Sequence, residues 1–273
     1  MTPHLVVFTD LDGTLLDPTT YRADAARPAL AALQARGIPV VFCSAKTRAE
    51  LEVHRQALGV TDPFIAENGG AIFIPEGYFP FPLEGAAARD GYQVLELGLP
   101  YPEIRRRLKA IEARLGLPVR GFGDLTPQEV AARTGLSLEA ARRAQAREYD
   151  ETLVLEGSPD EVRRILEAIQ AAGLRWTHGG RFYHATGPSD KGRAVRILTA
   201  LFRKAFGPVY TVALGDGPND RPMLEAVDRP ILVEKPTGGW EAMPLAGLQR
   251  VRGVGPVGWR RAIEALLDAN APR

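Results

Sequence analysis

Phe8-Thr9-Asp10-Leu11-Asp12-Gly13-Thr14-Leu15-Leu16 follows directly on the apolar run His4-Leu5-Val6-Val7. The run reads as a buried strand, which places Asp10 and Asp12 at its carboxyl end, followed by a Gly-Thr turn. Open α/β sheets bind ligands at that edge, in the crevice beyond the strand ends. Two carboxylates one residue apart raise each other's cost of ionising. A divalent cation would relieve that cost and create a reactive centre.

Outward from this stretch, strand and helix alternate. A helix is expected over 24–35 with Gly37 as its stop, a strand over 38–43, a helix over 47–58 ending at Gly59, and a short strand at 64–66. Such alternation predicts an α/β core with a doubly wound parallel sheet. Around 80–100 the pattern breaks in a crowd of prolines and glycines, which sets a boundary near residue 84. From 85 to 186 the pattern is that of an α+β unit. Its helices are expected at 102–115, 127–134 and 137–147, and a strand at 151–156. Ser158-Pro159-Asp160-Glu161 combines an N-cap serine, a proline at the first helical position and a glutamate three residues after the cap. The strands at 174–178 and 181–186 are joined by Gly179-Gly180, a hairpin signal. Strand and helix alternation then resumes, with a helix over 190–206, strands over 209–214 and 230–233, and a last helix over 257–269. The expected organisation is a discontinuous catalytic core, 1–84 with 187–273, carrying an inserted cap, 85–186.

At 273 residues, 45% hydrophobic and 25% charged, the chain has the make-up of an ordinary globular protein. A formal net charge of +1 offers no overall field to attract nucleic acid or a membrane surface. No apolar stretch approaches the ~18 residues of a membrane span, and no signal peptide is expected. The single cysteine, Cys43, rules out an internal disulfide; it reads as a core residue of a protein in a reducing cytosol. The oligomeric state stays open, a homodimer included.

Four separated segments fall at the same sheet edge: Asp10 to Thr14; Ser44, just past the second strand; Lys191, in the first turn of a helix; and Gly215-Asp216-Gly217-Pro218-Asn219-Asp220. Each alone has an ordinary structural explanation as a turn, a cap or a solvated helix residue. Jointly, in this order, they describe a phosphoryl-transfer site. Acidic residues build an oxygen-rich Mg²⁺ site, lysine and serine hold phosphate oxygens, and a carboxylate acts as nucleophile.

The set resembles the haloacid-dehalogenase-type phosphatases, whose pattern is Asp-x-Asp-Gly-Thr, then Ser or Thr, then Lys, then Gly-Asp-x-x-x-Asp. By position and α+β content, the insertion resembles their type 2B cap. The resemblance implies that Asp10 is the nucleophile and Asp12 the general acid and then base, with Ser44 and Lys191 holding phosphate. It also implies that Mg²⁺ is bound by Asp10, the Asp12 main-chain carbonyl and Asp216, supported from outside by Asn219 and Asp220. A carboxylate at Asp12 favours phosphate-ester hydrolysis, because an alkoxide leaves poorly unless protonated.

Finer features narrow the resemblance to phosphatases of the mannosyl-3-phosphoglycerate type. They are Cys43-Ser44-Ala45-Lys46-Thr47-Arg48, Glu67-Asn68-Gly69-Gly70, Arg147-Glu148-Tyr149-Asp150-Glu151 and Gly179-Gly180-Arg181-Phe182-Tyr183-His184. One departure is Asp150-Glu151-Thr152, where a proline-containing run would follow the acidic pair; it puts the local cap strand in question. The implied partner is a small phosphorylated sugar-glycerate. Lys46 or Arg48 would pair with its carboxylate, Glu67 and Asn68 with sugar hydroxyls, and Arg147, Arg181 and His184 would reach it from the cap. A broader sugar-phosphate phosphatase, a phosphomutase and a phospho-ligand-binding module are the rival readings.

Overall fold

The computed structural model describes residues 3–269. Its strands are β1 His4–Thr9, β2 Val40–Cys43, β3 Phe64–Ala66, β4 Ala71–Pro75, β5 Ala87–Arg89, β6 Tyr92–Glu96, β7 Arg120–Gly121, β8 Asp150–Val154, β9 Arg175–Gly179, β10 Phe182–Thr186, β11 Val209–Gly215, β12 Arg229–Glu234 and β13 Gln249–Val254. The helices are α1 Arg27–Ala35, α2 Arg48–Leu58, α3 Tyr101–Leu115, α4 Pro127–Thr134, α5 Leu138–Gln145, α6 Pro159–Ala171, α7 Lys191–Phe206, α8 Arg221–Leu224 and α9 Pro256–Ala269. None is long and apolar enough to cross a membrane among the described residues.

The large sheet has the order β13-β12-β11-β1-β2-β3-β4-β6-β5. From β13 to β3 every pairing is parallel; β4, β6 and β5 add antiparallel strands at one edge. The strand order reverses direction at β1: β2 and β3 lie on one side of it, β11 to β13 on the other. That switch point opens a crevice between neighbouring strand ends, where a ligand can enter.

Period-two alternation assigns the faces. Val7, Phe42, Phe64 and Val212 pack with Leu30 of α1, Leu51 of α2 and Trp259 of α9. Val6, Phe8, Val41 and Ala213 pack with Leu198 and Phe202 of α7 and Leu224 of α8. Strands buried on both faces have to be apolar nearly throughout, which is why His4–Phe8 and Val40–Cys43 show so little polar interruption. Cys43 is fully buried and burial pushes its thiol pKa up, consistent with a core residue. The Tyr78, Phe79 and Phe81 cluster packs on Phe202 and is structural.

The expected boundary at 84 falls too early. Strands β5 and β6 belong to the large sheet, because β6 pairs with β4 through Ala71↔Glu96 to Pro75↔Tyr92. The prolines and glycines of 80–100 mark turns within the core sheet as well as an exit from it. Beyond β6 the chain builds a four-stranded antiparallel sheet, β7-β8-β10-β9. Helices α3 and α6 cover one of its faces through Ile104, Leu108, Ile165 and Ile169, packed on Leu153 and Ala185. Alternation turns Asp150, Thr152, Phe182 and His184 to the other face, towards the core. The missing proline at 150–152 does not disturb β8, which forms with Thr152 directly opposite His184. The capping box at Ser158 is present: Ser158 N donates to Glu161 Oε2 at 2.8 Å.

Candidate active site

Strand β1 keeps its pairing one residue past its end, where Asp10 N donates to Leu214 O at 2.9 Å. The chain then folds back on itself through Gly13 N to Leu16 O (3.0 Å) and Leu16 N to Leu11 O (2.8 Å). Leu11, Leu15 and Leu16 are buried, so the apolar residues of the motif anchor the turn that presents its carboxylates. Gly13 adopts φ +80°, and a Cβ there would lie 2.7 Å from Asp216 Oδ2. Position 13 therefore requires glycine on both counts. Thr14 Oγ1 donates to Asp216 Oδ1 at 3.0 Å, tying this loop to the one after β11.

Lys191, the first residue of α7, is almost fully buried; its Nζ donates to Asp10 Oδ1 at 2.6 Å and to Asp220 Oδ1 at 2.7 Å. The other oxygen of Asp220 accepts from Asp216 N and Gly217 N, both at 3.0 Å. Asp220 is thus the anchor that orients Lys191 and shapes the Asp216 loop. Carboxylate oxygens of Asp10, Asp216 and Asp220 lie within 4.8 Å of one another. Burial and then the charge of Asp220 push the Asp10 carboxyl well above its ordinary value, with Lys191 pulling the other way. The same two causes push Asp216 up to about 7. Burial works against the charge on Lys191, but Asp10 and Asp220 outweigh it and raise its pKa. Three acids thus share one buried cation. Asp10 Oδ2, Asp216 Oδ2 and the Asp12 carbonyl accept no hydrogen bond among the described residues. An all-oxygen set carrying excess negative charge fits a hard divalent cation.

Ser44 sits at the same edge, its main chain held by Ile65 O and Asn68 N, and its Oγ accepts from Lys46 N at 3.3 Å. The Asp12 side chain is the exposed member of the pair, and Lys46 Nζ lies 2.9 Å from its Oδ2. Lys46 itself is flanked by Glu50 Oε1 at 3.7 Å and by the Tyr21 ring. These groups open on a cleft of about 790 Å³ between the core and the inserted unit. Its lining includes Asp10, Asp12, Ser44, Lys46, Asp216 and Asn219 from the core and Arg147, Arg181 and His184 from the cap.

Three of the expected substrate contacts lie elsewhere. Arg48 opens α2 after the Thr47 N-cap and turns away from the cleft, to Asp90 at 2.9 Å and Glu148 at 3.5 Å. Glu67, almost fully buried, accepts the backbone N–H groups of Glu148 (2.9 Å) and Tyr149 (2.7 Å). Asn68 Nδ2 donates to Asp150 Oδ2 at 2.8 Å. These side chains join core to cap, because chain segments that cross between two units leave backbone donors needing partners. Asp150 in turn holds Arg147 Nη1 and His184 Nδ1, each at 2.9 Å from its Oδ1. Asn219, expected to support the metal's waters, has its Nδ2 3.4 Å from Asn68 Oδ1.

Burial raises the Glu67 carboxyl from 4.5 to about 8, Asp150 adding to the rise and Arg147 opposing it. Between those values the native state holds a proton the unfolded chain has released, so this group makes stability fall as pH rises. In Glu67→Gln, the fall in melting temperature between pH 5 and 8 is expected to be shallower than in the wild type. An unchanged slope in thermal denaturation would contradict this assignment.

Sequence reading missed Tyr21, His178, Lys235, Thr237 and Glu241, all of which line the cleft. Lys235 and Glu241 pair with each other in the segment following β12. The position of that segment, at the carboxyl end of another parallel strand, was the signal available for them.

Fold and site together define a haloacid dehalogenase-like hydrolase, and the family model of that description matches residues 7–79. The chain is 48% identical to the glucosyl-3-phosphoglycerate/mannosyl-3-phosphoglycerate phosphatase of Methanococcoides burtonii, over 97% of this chain and 98% of that one. It is 42% identical to the mannosyl-3-phosphoglycerate phosphatase of Pyrococcus horikoshii, over 84% of this chain and 90% of that one. The chain belongs to this phosphatase family within the haloacid dehalogenase-like hydrolases. Among solved structures, a haloacid dehalogenase-like hydrolase from Bacteroides thetaiotaomicron has the same fold (TM-score 0.67, 16% identity, 97% of this chain and 100% of that one).

Proposed function

We propose that this chain is a Mg²⁺-dependent phosphatase that hydrolyses 2-O-mannosyl-3-phosphoglycerate, and its glucosyl counterpart, to the glycosylglycerate and phosphate. The observation that carries the chemistry is the buried Asp10, held by Lys191 at 2.6 Å and facing Asp216 at the β1–β11 switch point. The names of the relatives that align along almost the whole chain supply the substrate.

Asp10 Oδ attacks phosphorus and the ester oxygen leaves, taking a proton from Asp12. The product is an aspartyl-phosphate on Asp10. Asp12, now ionised, takes a proton from the water that attacks this acyl phosphate, releasing phosphate and restoring Asp10. Lys46, 2.9 Å from Asp12, fixes its side chain at the cleft entrance. Lys191 and the Ser44 hydroxyl hold phosphate oxygens as charge redistributes. Asp10, the Asp12 carbonyl and Asp216 would hold Mg²⁺, which when bound neutralises charge on the transferring phosphoryl oxygens. Arg147, Arg181 and His184 contact the sugar-glycerate part. The domain division proposed is a core of residues 1–97 and 187–273, with a cap of 98–186 that shuts bulk water out of the first transfer.

The test is phosphate release from mannosyl- and glucosyl-3-phosphoglycerate beside 3-phosphoglycerate, mannose 6-phosphate and sucrose phosphate, with Mg²⁺ and with EDTA. Release from the two glycosyl-phosphoglycerates is expected to exceed the others by at least ~100-fold in kcat/KM and to fall to background with EDTA. Equal turnover of simple sugar phosphates would overturn the substrate assignment and leave the chemistry. Isomerised sugar phosphate in place of free phosphate would identify a mutase.

A further inference from the structure

The substrate class proposed above carries two anionic groups, a phosphate and a carboxylate, and the inference that follows rests on that proposal. The phosphate belongs at Asp10, Ser44 and Lys191. Which group receives the carboxylate follows from how the positive charges lining the cleft are already paired. Lys46 stands between Asp12 at 2.9 Å and Glu50 at 3.7 Å. Lys235 is paired with Glu241. Arg147 is bound to Asp150, which is fully buried, so drawing this arginine away would strand an uncompensated carboxylate in the interior. His184 is bound through Nδ1 to the same Asp150. Burial, followed by the neighbouring His184, lowers the His178 imidazole below its ordinary value, which disfavours its charged form.

Arg181 differs from all of these. Its guanidinium makes one hydrogen bond, from Nη2 to the Thr134 carbonyl at 2.7 Å, and has no carboxylate partner among the described residues. That bond and the Phe182 ring, 5.9 Å from the guanidinium carbon, hold the group in place and leave Nε and Nη1 free. The Gly179-Gly180 turn before it sets the hairpin tip against the core loop that carries Asp216. A Cβ at Gly179 would come within 3.0 Å of Asn219 Nδ2. Of the cleft cations it is the one that can take a second anion without breaking an existing ion pair, and arginine presents the paired donors that match a carboxylate.

We propose that Arg181, at the tip of the β9–β10 hairpin, binds the glycerate carboxylate and makes the enzyme selective for phosphate esters of hydroxy acids over those of neutral alcohols. The cap then reads the acid group while the core reads the phosphate. Lys46 and Arg48, the candidates by sequence, do not serve: Lys46 holds Asp12, and Arg48 is outside the cleft.

The experiment compares mannosyl-3-phosphoglycerate with its analogue bearing a primary amide in place of the carboxylate. The wild type is expected to prefer the acid in kcat/KM, chiefly through KM. Arg181→Gln is expected to reduce that acid-to-amide ratio by about 10- to 100-fold, the worth of a charge-assisted hydrogen bond pair. Arg181→Lys should retain part of the preference. Equal losses on acid and amide in Arg181→Gln, or an unchanged ratio, would overturn the proposal. So would a selective loss of acid preference in Lys46→Gln that Arg181→Gln does not show. Failure of the wild type to release phosphate from the acid would instead remove the substrate reading on which the proposal stands. Arg181 is exposed and bonded to one carbonyl, so its replacement is compatible with folding.

Discussion

Asp10→Asn is expected to lower kcat by about 10⁵-fold or more, the scale of losing a covalent nucleophile. An amide oxygen next to a nitrogen that carries no negative charge does not displace an alkoxide from phosphorus. The same substitution should leave folding in the absence of metal at or above the wild-type stability. The Asp10 carboxyl is already pushed above its ordinary value by burial and by Asp220, so its ionised form is a cost to the folded state. Asparagine keeps the shape without the charge. A stable, inactive protein with no hydroxylamine-labile phosphoryl group after rapid acid quench is the expected result. Activity within about 10-fold of the wild type would contradict nucleophilic catalysis by Asp10.

Lys191→Met is expected to damage both stability and rate. The ammonium lies between Asp10 and Asp220 at 2.6 and 2.7 Å, with almost no exposure to solvent. Without it two buried carboxylates face each other. Removing one partner of a buried ion pair costs about 3–5 kcal/mol, which in a chain of this size lowers the melting temperature by roughly 6–20 °C. Turnover should fall by about 10³-fold through lost stabilisation of the transferring phosphoryl group. Lys191→Arg separates the two effects: it restores the charge and part of the stability, while the larger head group displaces Asp220 and, through it, the Asp216 loop. Calorimetry with and without Mg²⁺ on both variants checks this. A Lys191→Met protein as stable as wild type would contradict the arrangement.

The catalytic core was legible from the chain because its signals are local. Each residue assigned to the candidate site follows a strand or opens a helix whose period is visible within about ten residues. Asp10, Ser44 and Asp216 meet at one edge because β1, β2 and β11, which they follow, are mutually parallel, and Lys191 reaches the same edge from the first turn of α7. The capping box at Ser158 and the hairpin at Gly179-Gly180 were readable for the same reason.

The cap's contacts were not readable in this way. Arg48, Glu67 and Asn68 are polar residues beside the Ser44 loop, and their types suit a sugar ligand as well as they suit a seam between two units. The decision came from the cap's return segment, which brings the N–H groups of Glu148 and Tyr149 and the carboxylate of Asp150 against them. Those partners lie about 80 positions along the chain from Glu67 and Asn68, beyond the reach of any local pattern. The edge strands β5 and β6 were hidden similarly, since short strands among prolines and glycines are defined by the neighbour they pair with.

The sequence by itself determined the reaction class and the strand ends at which Asp10, Ser44 and Asp216 stand, because backbone propensity and strand-end position are properties of short segments. Only the tertiary structure decided which charges in the cleft are already neutralised. That question turns on distances between Asp12 and Lys46, Asp150 and Arg147, and Glu241 and Lys235, and it leaves Arg181 as the cleft cation with no acid beside it among the described residues.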